Sequence, residues 1–352
     1  MRTHLLASIF ALTLASSVAF AQTPSQNPTR MTLHYKSGEV KNFDLTELDY
    51  MEFDNGGETP VDPPAPGEPK VGDYFYSDGT WSDGGLVSID ANGCNAVWAA
   101  TKPAPIEGKT VIGIVFQTNP DRIAEADRLA GYTHGYVIAC KNIQDPNKTN
   151  FAQYPETVWF TSGKTWVTSD ANKVSKLAKS CYENLSGREE TQKMFEKNDA
   201  QYYSEDIPMF YYGTTAYPVA APENTSGWFI PSVGQMWDCV ANFCSGEVAQ
   251  YLDTQKDQTI DFTYYVKHEG TVDVPFDKFM SVFSLVPEAD KDEMTIPDHN
   301  EANKNCISLA TSSRYDEESR VIINLGMNGY KYVEGMAEWF DGEAHARPIL
   351  AF

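Results

Sequence analysis

A proline-rich segment divides the 352-residue chain into two very unequal parts. Residues 54–70 read DNGGETPVDPPAPGEPK and hold five prolines, three glycines and four acidic residues. Prolines at this spacing favour an extended, semi-rigid spacer, and loops so rich in proline are uncommon inside compact domains. We therefore predict a linker at residues 54–70, with one structural unit before it and a larger one, residues 71–352, after it.

The segment before the linker has the pattern of a β-hairpin. Residues 31–45, MTLHYKSGEVKNFDL, alternate apolar and polar side chains on both sides of a turn that contains Gly38. A unit of this size, residues 22–53, buries too little surface to be stable alone. We expect it to pack on something larger or on a partner.

The first 21 residues have the organisation of an export signal. Arg2 precedes an apolar stretch from Leu5 to Val18, and Ala19-Phe20-Ala21 supplies the small residues that a signal peptidase recognises. The apolar stretch is shorter than the roughly 20 residues of a spanning helix, and no later stretch is long enough. No cysteine follows Ala21 directly, so a lipoprotein anchor is not predicted. We predict an exported chain, at the cell surface, secreted or periplasmic, without a spanning segment after cleavage.

Charge and aromatic content narrow the functional class. The chain holds 27 basic and 49 acidic residues, a net charge of −22, and signal cleavage would remove only a basic one. A surface this acidic would repel a phosphate backbone, so a nucleic-acid partner is excluded. The 18 Phe, 7 Trp and 19 Tyr residues are enough for a substantial core, so a folded domain is expected.

The six cysteines are expected to be buried thiols. Export permits disulfides, and six thiols allow 15 pairings that spacing cannot select. However, Cys140 and Cys181 lie in apolar patterns, and free cysteine is among the most buried residue types. Cys239 and Cys244 are five positions apart on a predicted helix and so point in different directions. They therefore cannot both coordinate one zinc ion.

Periodicity in residues 71–352 predicts several strands and three helices. Alternation and β-branched runs indicate strands, and apolar spacing with caps indicates helices, of which the clearest has a Ser232/Gln235 capping box. The predicted strands are Asp73–Tyr76, Thr110–Phe116, Tyr136–Cys140, Arg320–Leu325 and Arg347–Phe352. The predicted helices are one between Asp170 and Leu185, one that starts at the capping box and has Met236, Trp237, Val240 and Cys244 on one face, and a shorter one that fits Phe276, Phe279, Met280 and Phe283.

Several of these motifs resemble a known pattern in the same order along the chain. They are Val71–Ser82, Lys109–Phe116, His134–Val137, Gly227–Gln235, Ala310–Ser313 with Val321–Asn324, and Arg347–Phe352. The pattern is similar to that of exported bacterial surface proteins with a C-type-lectin-like domain, related in fold to the formylglycine-generating enzymes. The resemblance implies an α+β fold with two or three helices around short antiparallel sheets. It also implies that loops before the last strand display the ligand face.

The ligand-binding prediction rests on aromatic residues in those loops. Tyr330, Tyr332 and Trp339 lie in a segment, residues 326–343, that we predict to be a loop, and Arg314 and Tyr315 complete the predicted site. Rigid aromatic rings with a polar tip suit contacts with sugars or peptides. No metal or cofactor is predicted, because the sugar-binding calcium motifs and phosphate-cradling glycine loops are missing from the sequence.

Three functions compete on this evidence. The leading one is a non-catalytic exported binding or adhesion protein that recognises a glycan or a protein. The alternative is a structural or accessory subunit of a surface fibre whose N-terminal hairpin docks by strand addition. The second alternative is an oxidase of the formylglycine-generating type, which would need a reactive thiol, with Cys306 as the candidate.

Overall fold

A computed structural model describes residues 30–34, 40–44, 67–90, 93–144, 174–294, 305–316, 319–339 and 344–352. The chain divides into two compact units, Met1–Asp62 and Pro63–Phe352. The predicted signal peptide and most of the predicted linker lie outside the described residues and stay predictions. Within the described ranges, no helix combines the length and hydrophobicity needed to cross a membrane.

In the described ranges the strands form four small sheets, and all of the pairings between these strands are antiparallel. In chain order they are β1 Arg30–His34, β2 Val40–Asp44, β3 Tyr74–Tyr76, β4 Trp81–Ser82, β5 Leu86–Ser88, β6 Val97–Trp98, β7 Val111–Gln117, β8 Tyr136–Ala139, β9 Lys267–Glu269, β10 Cys306–Arg314, β11 Ser319–Gly326, β12 Tyr332–Trp339 and β13 Ile349–Ala351. β1 pairs with β2, as the alternation before the linker predicts.

The helices are more numerous than predicted. The described residues contain α1 Glu125–Leu129, α2 Ala178–Glu183, α3 Gly187–Lys197, α4 Tyr203–Asp206, α5 Pro208–Gly213, α6 Val233–Cys244, α7 Gly246–Gln255, α8 Phe262–Tyr265 and α9 Pro275–Ser281, with 3₁₀ turns at Pro120–Arg122 and Ala200–Tyr202. The prediction of two or three helices is therefore wrong, although the α+β class is confirmed. Helices as short as α4 and α8 show no readable period, and tertiary packing rather than propensity holds them.

The helix predicted after the Ser232/Gln235 capping box is present as α6. At α6 the Ser232 hydroxyl accepts from Gln235 N, and the Gln235 side chain accepts from Ser232 N, which confirms the capping box. The start predicted for Asp170–Leu185 is wrong over its described part. Val174 N donates to Arg314 O, and Leu177 forms a β-bridge with Asp261, so this stretch is extended and tied to neighbouring segments.

The five-stranded sheet, in the order β13-β8-β7-β3-β4, is the centre of the larger unit. All seven residues of β7 are buried because both faces of the sheet are covered. One face packs against a cluster that includes Trp237 of α6, and the other against a cluster that includes Phe210 of α5. This double covering explains why the predicted strand at Thr110–Phe116 is an unbroken apolar run rather than an alternating one.

The second sheet, in the order β10-β11-β12-β9, corrects the predicted loop at residues 326–343. β11 and β12 are joined by a tight turn in which Tyr330 N donates to Met327 O at 2.9 Å. Asn328 and Gly329 at its centre both have positive φ, of 55° and 86°. Asn-Gly in this position is typical of a two-residue hairpin turn, and the residues after it form a strand.

A buried carboxyl group ties the helices to the second sheet. The Glu190 carboxylate on α3 accepts from Asn184 Nδ2 at 2.8 Å, from Ser313 Oγ at 3.2 Å and from Ser312 Oγ. Ser232 Oγ in turn donates to Asn184 O at 2.6 Å. We call these five residues the Glu190 cluster. Burial raises the pKa of Glu190, and the three donors partly oppose that rise.

The prediction of buried thiols is confirmed for four cysteines. Cys140, Cys181, Cys239 and Cys244 are buried. Burial raises the pKa of Cys140, Cys181 and Cys244 to about 12, and that of Cys239 rises for the same reason. Cys94 and Cys306 are half-buried.

Candidate functional site

The described residues enclose a cleft of about 540 Å³. Three segments form it: residues 94–102 around β6, residues 243–250 at the junction of α6 and α7, and residues 271–282 around α9. Its volume is in the range typical of pockets for small ligands. The cleft is therefore the candidate functional site.

The junction of α6 and α7 forms one wall, and its backbone is strained. Ser245 has φ 51° and ψ −166°, a conformation that is essentially confined to glycine. Its hydroxyl donates to Gly93 O at 3.0 Å and accepts from Ala96 N at 3.1 Å, and Gly246 N donates to Cys94 O at 3.1 Å. These bonds hold the segment before β6 against the helix junction and so keep the cleft walls together.

The cleft has an apolar floor and an apolar rim. Phe243, Val248 and Val282 on the floor are buried, whereas Val97 and Val272 on the rim are 52% and 68% exposed. The half-buried Trp98 packs so closely on Gly72 that a Cβ there would lie 2.6 Å from its ring. Ligand contacts are therefore expected to be mostly apolar.

The charged residues that line the cleft form hydrogen bonds or ion pairs with other residues of its walls. Glu247 Oε2 accepts from Val272 N at 2.8 Å, and Lys278 Nζ lies 3.0 Å from Asp273 Oδ2. Lys102 Nζ donates to Val282 O and to Ser281 O. These contacts stabilise the cleft walls and leave an apolar interior open to a ligand.

The Cys94 thiol also lines the cleft but is not activated. Burial, and then the charge of Asp90, raise its pKa, so it stays a thiol near neutral pH. Within the described ranges there is no group of three or more His, Cys, Asp or Glu side chains placed to hold a metal ion.

The five predicted binding residues lie at opposite ends of the second sheet. Tyr330 and Tyr332 are at the β11–β12 turn, whereas Arg314, Tyr315 and Trp339 are at the other end of the strands, where Ser319 pairs with Trp339. Trp339 lies seven positions after Tyr332 along the strand, a distance of about 23 Å. The structure therefore does not assemble the five residues into one site.

Arg314 and Tyr315 are also covered. They are 2% and 4% exposed, because the segment at Val174 hydrogen-bonds to the end of β10 and Lys176 Nζ lies 4.3 Å from the Tyr315 ring centre. The Tyr315 hydroxyl donates to Asp261 Oδ2 at 3.2 Å. A ligand cannot reach these two side chains without moving that segment.

Tyr330 and Tyr332 remain candidates for contact with a ligand. Tyr330 is 48% exposed, and Lys331 Nζ donates to Val272 O at 2.7 Å, which joins this turn to the cleft rim. Tyr332 is half-buried, with Lys267 Nζ 5.5 Å from its ring centre and a hydrogen bond shared with Cys306. Sequence reasoning found these tyrosines but missed the cleft, whose three walls are up to about 180 residues apart in the chain.

Comparison with known proteins adds little. No protein-family model matches the chain, and no curated protein is significantly similar to it. A crystal structure of a fimbrial protein from Bacteroides ovatus ATCC 8483 matches with 17% identity and a TM-score of 0.40, over 80% of this chain and 49% of that one. The chain thus spans about half the length of that structure. At this level, the similarity establishes neither a shared fold nor a shared function, and the resemblance to C-type-lectin-like domains stays a prediction.

Proposed function

We propose that the protein is a non-catalytic exported binding protein whose ligand, a glycan or a protein segment, occupies the cleft. The observation that carries this proposal is the cleft itself, about 540 Å³ of space with an apolar floor. Most ligand pockets are preformed, mainly apolar and lined by a few polar groups. The bonds from Ser245 on one wall to the segment before β6 on another support a preformed cleft.

The state of the thiols supports a non-catalytic function. An oxidase of the formylglycine-generating type would need a thiol that ionises readily. Burial instead raises the pKa of Cys140, Cys181 and Cys244 to about 12, and that of Cys94 is also raised. Cys306 shares a hydrogen bond with Tyr332. We therefore place the oxidase function last.

Glycan and protein arrays, probed with the purified chain, test the proposal. Two exposed valines on the same two-stranded sheet provide a matched pair of variants. Val97 lines the cleft, whereas Val87, 65% exposed on β5, does not. We expect Val97→Trp to weaken binding about tenfold or more by filling the cleft, and Val87→Trp to bind as the wild type does.

Two results would count against cleft binding. One is an array on which the wild type binds nothing. The other is a hit that Val97→Trp and Val87→Trp retain equally. Surface labelling of intact cells tests the export part separately, since a chain that stays inside the cell would not be labelled.

The second candidate function is a structural or accessory subunit of a surface fibre. Its supporting observation is the hairpin, since β1 and β2 pair only with each other among the described residues. An isolated two-stranded sheet is marginally stable and has open edges that can accept a further strand. A photo-crosslinking residue at Asn42 of β2 should capture a partner protein in native extracts, and the same residue at Val87 should not. A monomeric, uncrosslinked chain would contradict this function.

A further inference from the structure

The Lys102 amine in the cleft wall has no carboxylate partner among the described residues. Lys102 Nζ donates to Val282 O and lies 3.5 Å from Ser281 O, the carbonyls at the C-terminal end of α9. Among the described residues, no carboxylate lies within ion-pairing distance of this amine. Lys278, which lines the same cleft, is paired with Asp273 at 3.0 Å.

Pro103, the residue after Lys102, is held in place from two sides. The Tyr74 hydroxyl donates to Pro103 O at 3.0 Å, and a Cβ on Gly85 would lie 2.9 Å from Pro103 Cδ. Gly85 has φ 94°, so the close approach needs a glycine there. Lys102 Nζ lies 5.4 Å from the Tyr74 ring centre. The amine therefore has a defined position at the edge of an apolar cavity.

These surroundings favour the neutral amine. Burial lowers the pKa of Lys102 to about 8, and the nearby Cys140 thiol opposes this in part. The other charged residues of the cleft are Lys278, Glu247 and Asp273. At pH 7, an amine of pKa 8 is about one-tenth neutral, against about one part in three thousand for an ordinary lysine.

We propose that Lys102 captures aldehydes in the cleft by forming an imine. The Nζ lone pair attacks the carbonyl carbon, a C–N bond forms, and the carbonyl oxygen takes a proton to give a carbinolamine. Loss of the hydroxyl group with the remaining N–H proton releases one water and leaves the C=N bond. No oxidant or reductant is needed, and the step is reversible.

The cleft indicates which aldehydes would react. Phe243, Trp98 and Val282 surround the cavity, so an aromatic or short aliphatic aldehyde can bury its apolar part beside the amine. The lining offers no further unpaired cation for a phosphate or carboxylate group, since Lys278 is already ion-paired. This inference uses the cleft of the proposed function but does not require binding of a glycan or a protein.

Reductive trapping with benzaldehyde tests the proposal. The purified full chain is incubated with benzaldehyde and cyanoborohydride, which converts an imine to a stable secondary amine, and lysine occupancies are measured by peptide mass spectrometry. At pH 7 we expect Lys102 to react about tenfold faster than the average lysine of the chain. This is less than the ratio of neutral fractions because a weaker base is a weaker nucleophile. Its rate should level off above about pH 8, whereas an ordinary amine gains rate to about pH 10.

Two arginine variants complete the test. Lys102→Arg keeps the charge and the donors to the α9 carbonyls but cannot form an imine, so fast labelling should disappear. Lys278→Arg, in the same cleft, should leave labelling of Lys102 unchanged.

Labelling of Lys102 at or below the average rate overturns the proposal, as does fast labelling at Lys278 instead. If Lys102→Arg fails to fold, the peptide map of the wild type decides alone. If Lys102 reacts quickly but the chain binds nothing on the arrays, only the proposed function is overturned. If the chain binds an array ligand through the cleft but Lys102 reacts slowly, only this inference is overturned.

Discussion

The Glu190 cluster and the cleft both bring together polar groups from distant segments of the chain. The polar groups are arranged in opposite ways in the two places. In the Glu190 cluster, the donors of Asn184, Ser312 and Ser313 converge on one buried carboxylate. In the cleft, the charged groups turn into the walls, and a cavity of about 540 Å³ remains between them. The first arrangement holds α2, α3, α6 and β10 together, and the second leaves room for a ligand.

The largest effect is expected at the centre of the cluster. Glu190→Leu keeps the side-chain volume but removes the acceptor, so buried hydroxyl and amide donors lose their partner. We expect the free energy of unfolding to fall by about 3 kcal/mol. Urea denaturation measures it.

The neighbouring Glu189 is exposed and supplies the control. Glu189→Leu should change stability by no more than about 0.5 kcal/mol. Equal effects of the two substitutions would show that the cluster does not stabilise the fold.

A second buried carboxyl group, Asp73, lies beside the cleft wall and should make stability depend on pH. Its oxygens accept from Lys70 N and Gly84 N, but burial outweighs these bonds and raises its pKa from 3.8 to about 6. The folded state therefore binds this proton more tightly. The resulting stabilisation is fully present below about pH 3.8 and is lost as the pH rises to about 6.

Comparing the wild type with Asp73→Asn isolates this effect, since asparagine does not titrate. Between pH 4 and pH 7, the wild type should lose about 2 kcal/mol of unfolding free energy relative to the variant. Urea denaturation at several pH values measures the difference. A difference that is constant with pH, or that grows in favour of the wild type, contradicts the expectation.

The strained junction of the cleft wall should give a smaller effect. Ser245→Ala removes the hydroxyl bonds and keeps the unfavourable backbone conformation, so we expect a loss of about 1–2 kcal/mol. Ser245→Gly loses the same bonds but relieves the backbone and should be the more stable variant by about 1 kcal/mol. An alanine variant as stable as the glycine variant would show that the junction is not strained. Thermal unfolding of the two variants makes the comparison.

The smallest effect on stability is expected on the cleft rim. Val97→Trp and Val87→Trp change exposed side chains, so each should alter the free energy of unfolding by no more than about 0.5 kcal/mol. Their difference should appear only in ligand binding. A large loss of stability for Val97→Trp alone would mean that the rim supports the fold, and the contrast between cluster and cleft would then be weaker.

Local signals predicted the elements that local chemistry specifies. The Ser232/Gln235 pair predicted the start of α6, and the alternation around Gly38 predicted the first hairpin. The Asn328-Gly329 dipeptide carried an equally strong signal for the β11–β12 turn. The prediction of a loop after this dipeptide overlooked that signal, and the predicted binding residues were consequently placed together when they lie at opposite ends of a sheet.

The sequence by itself determined the central buried strands, the capped helix and the first hairpin, because each depends on side chains a few positions apart. Only the tertiary structure decided where the cleft lies and which polar groups are buried. Lys102 meets the carbonyl of Val282, and Glu190 meets Ser312, across separations of 180 and 122 residues. Such contacts are set by the packing of whole sheets and helices, and no local pattern of residues records them.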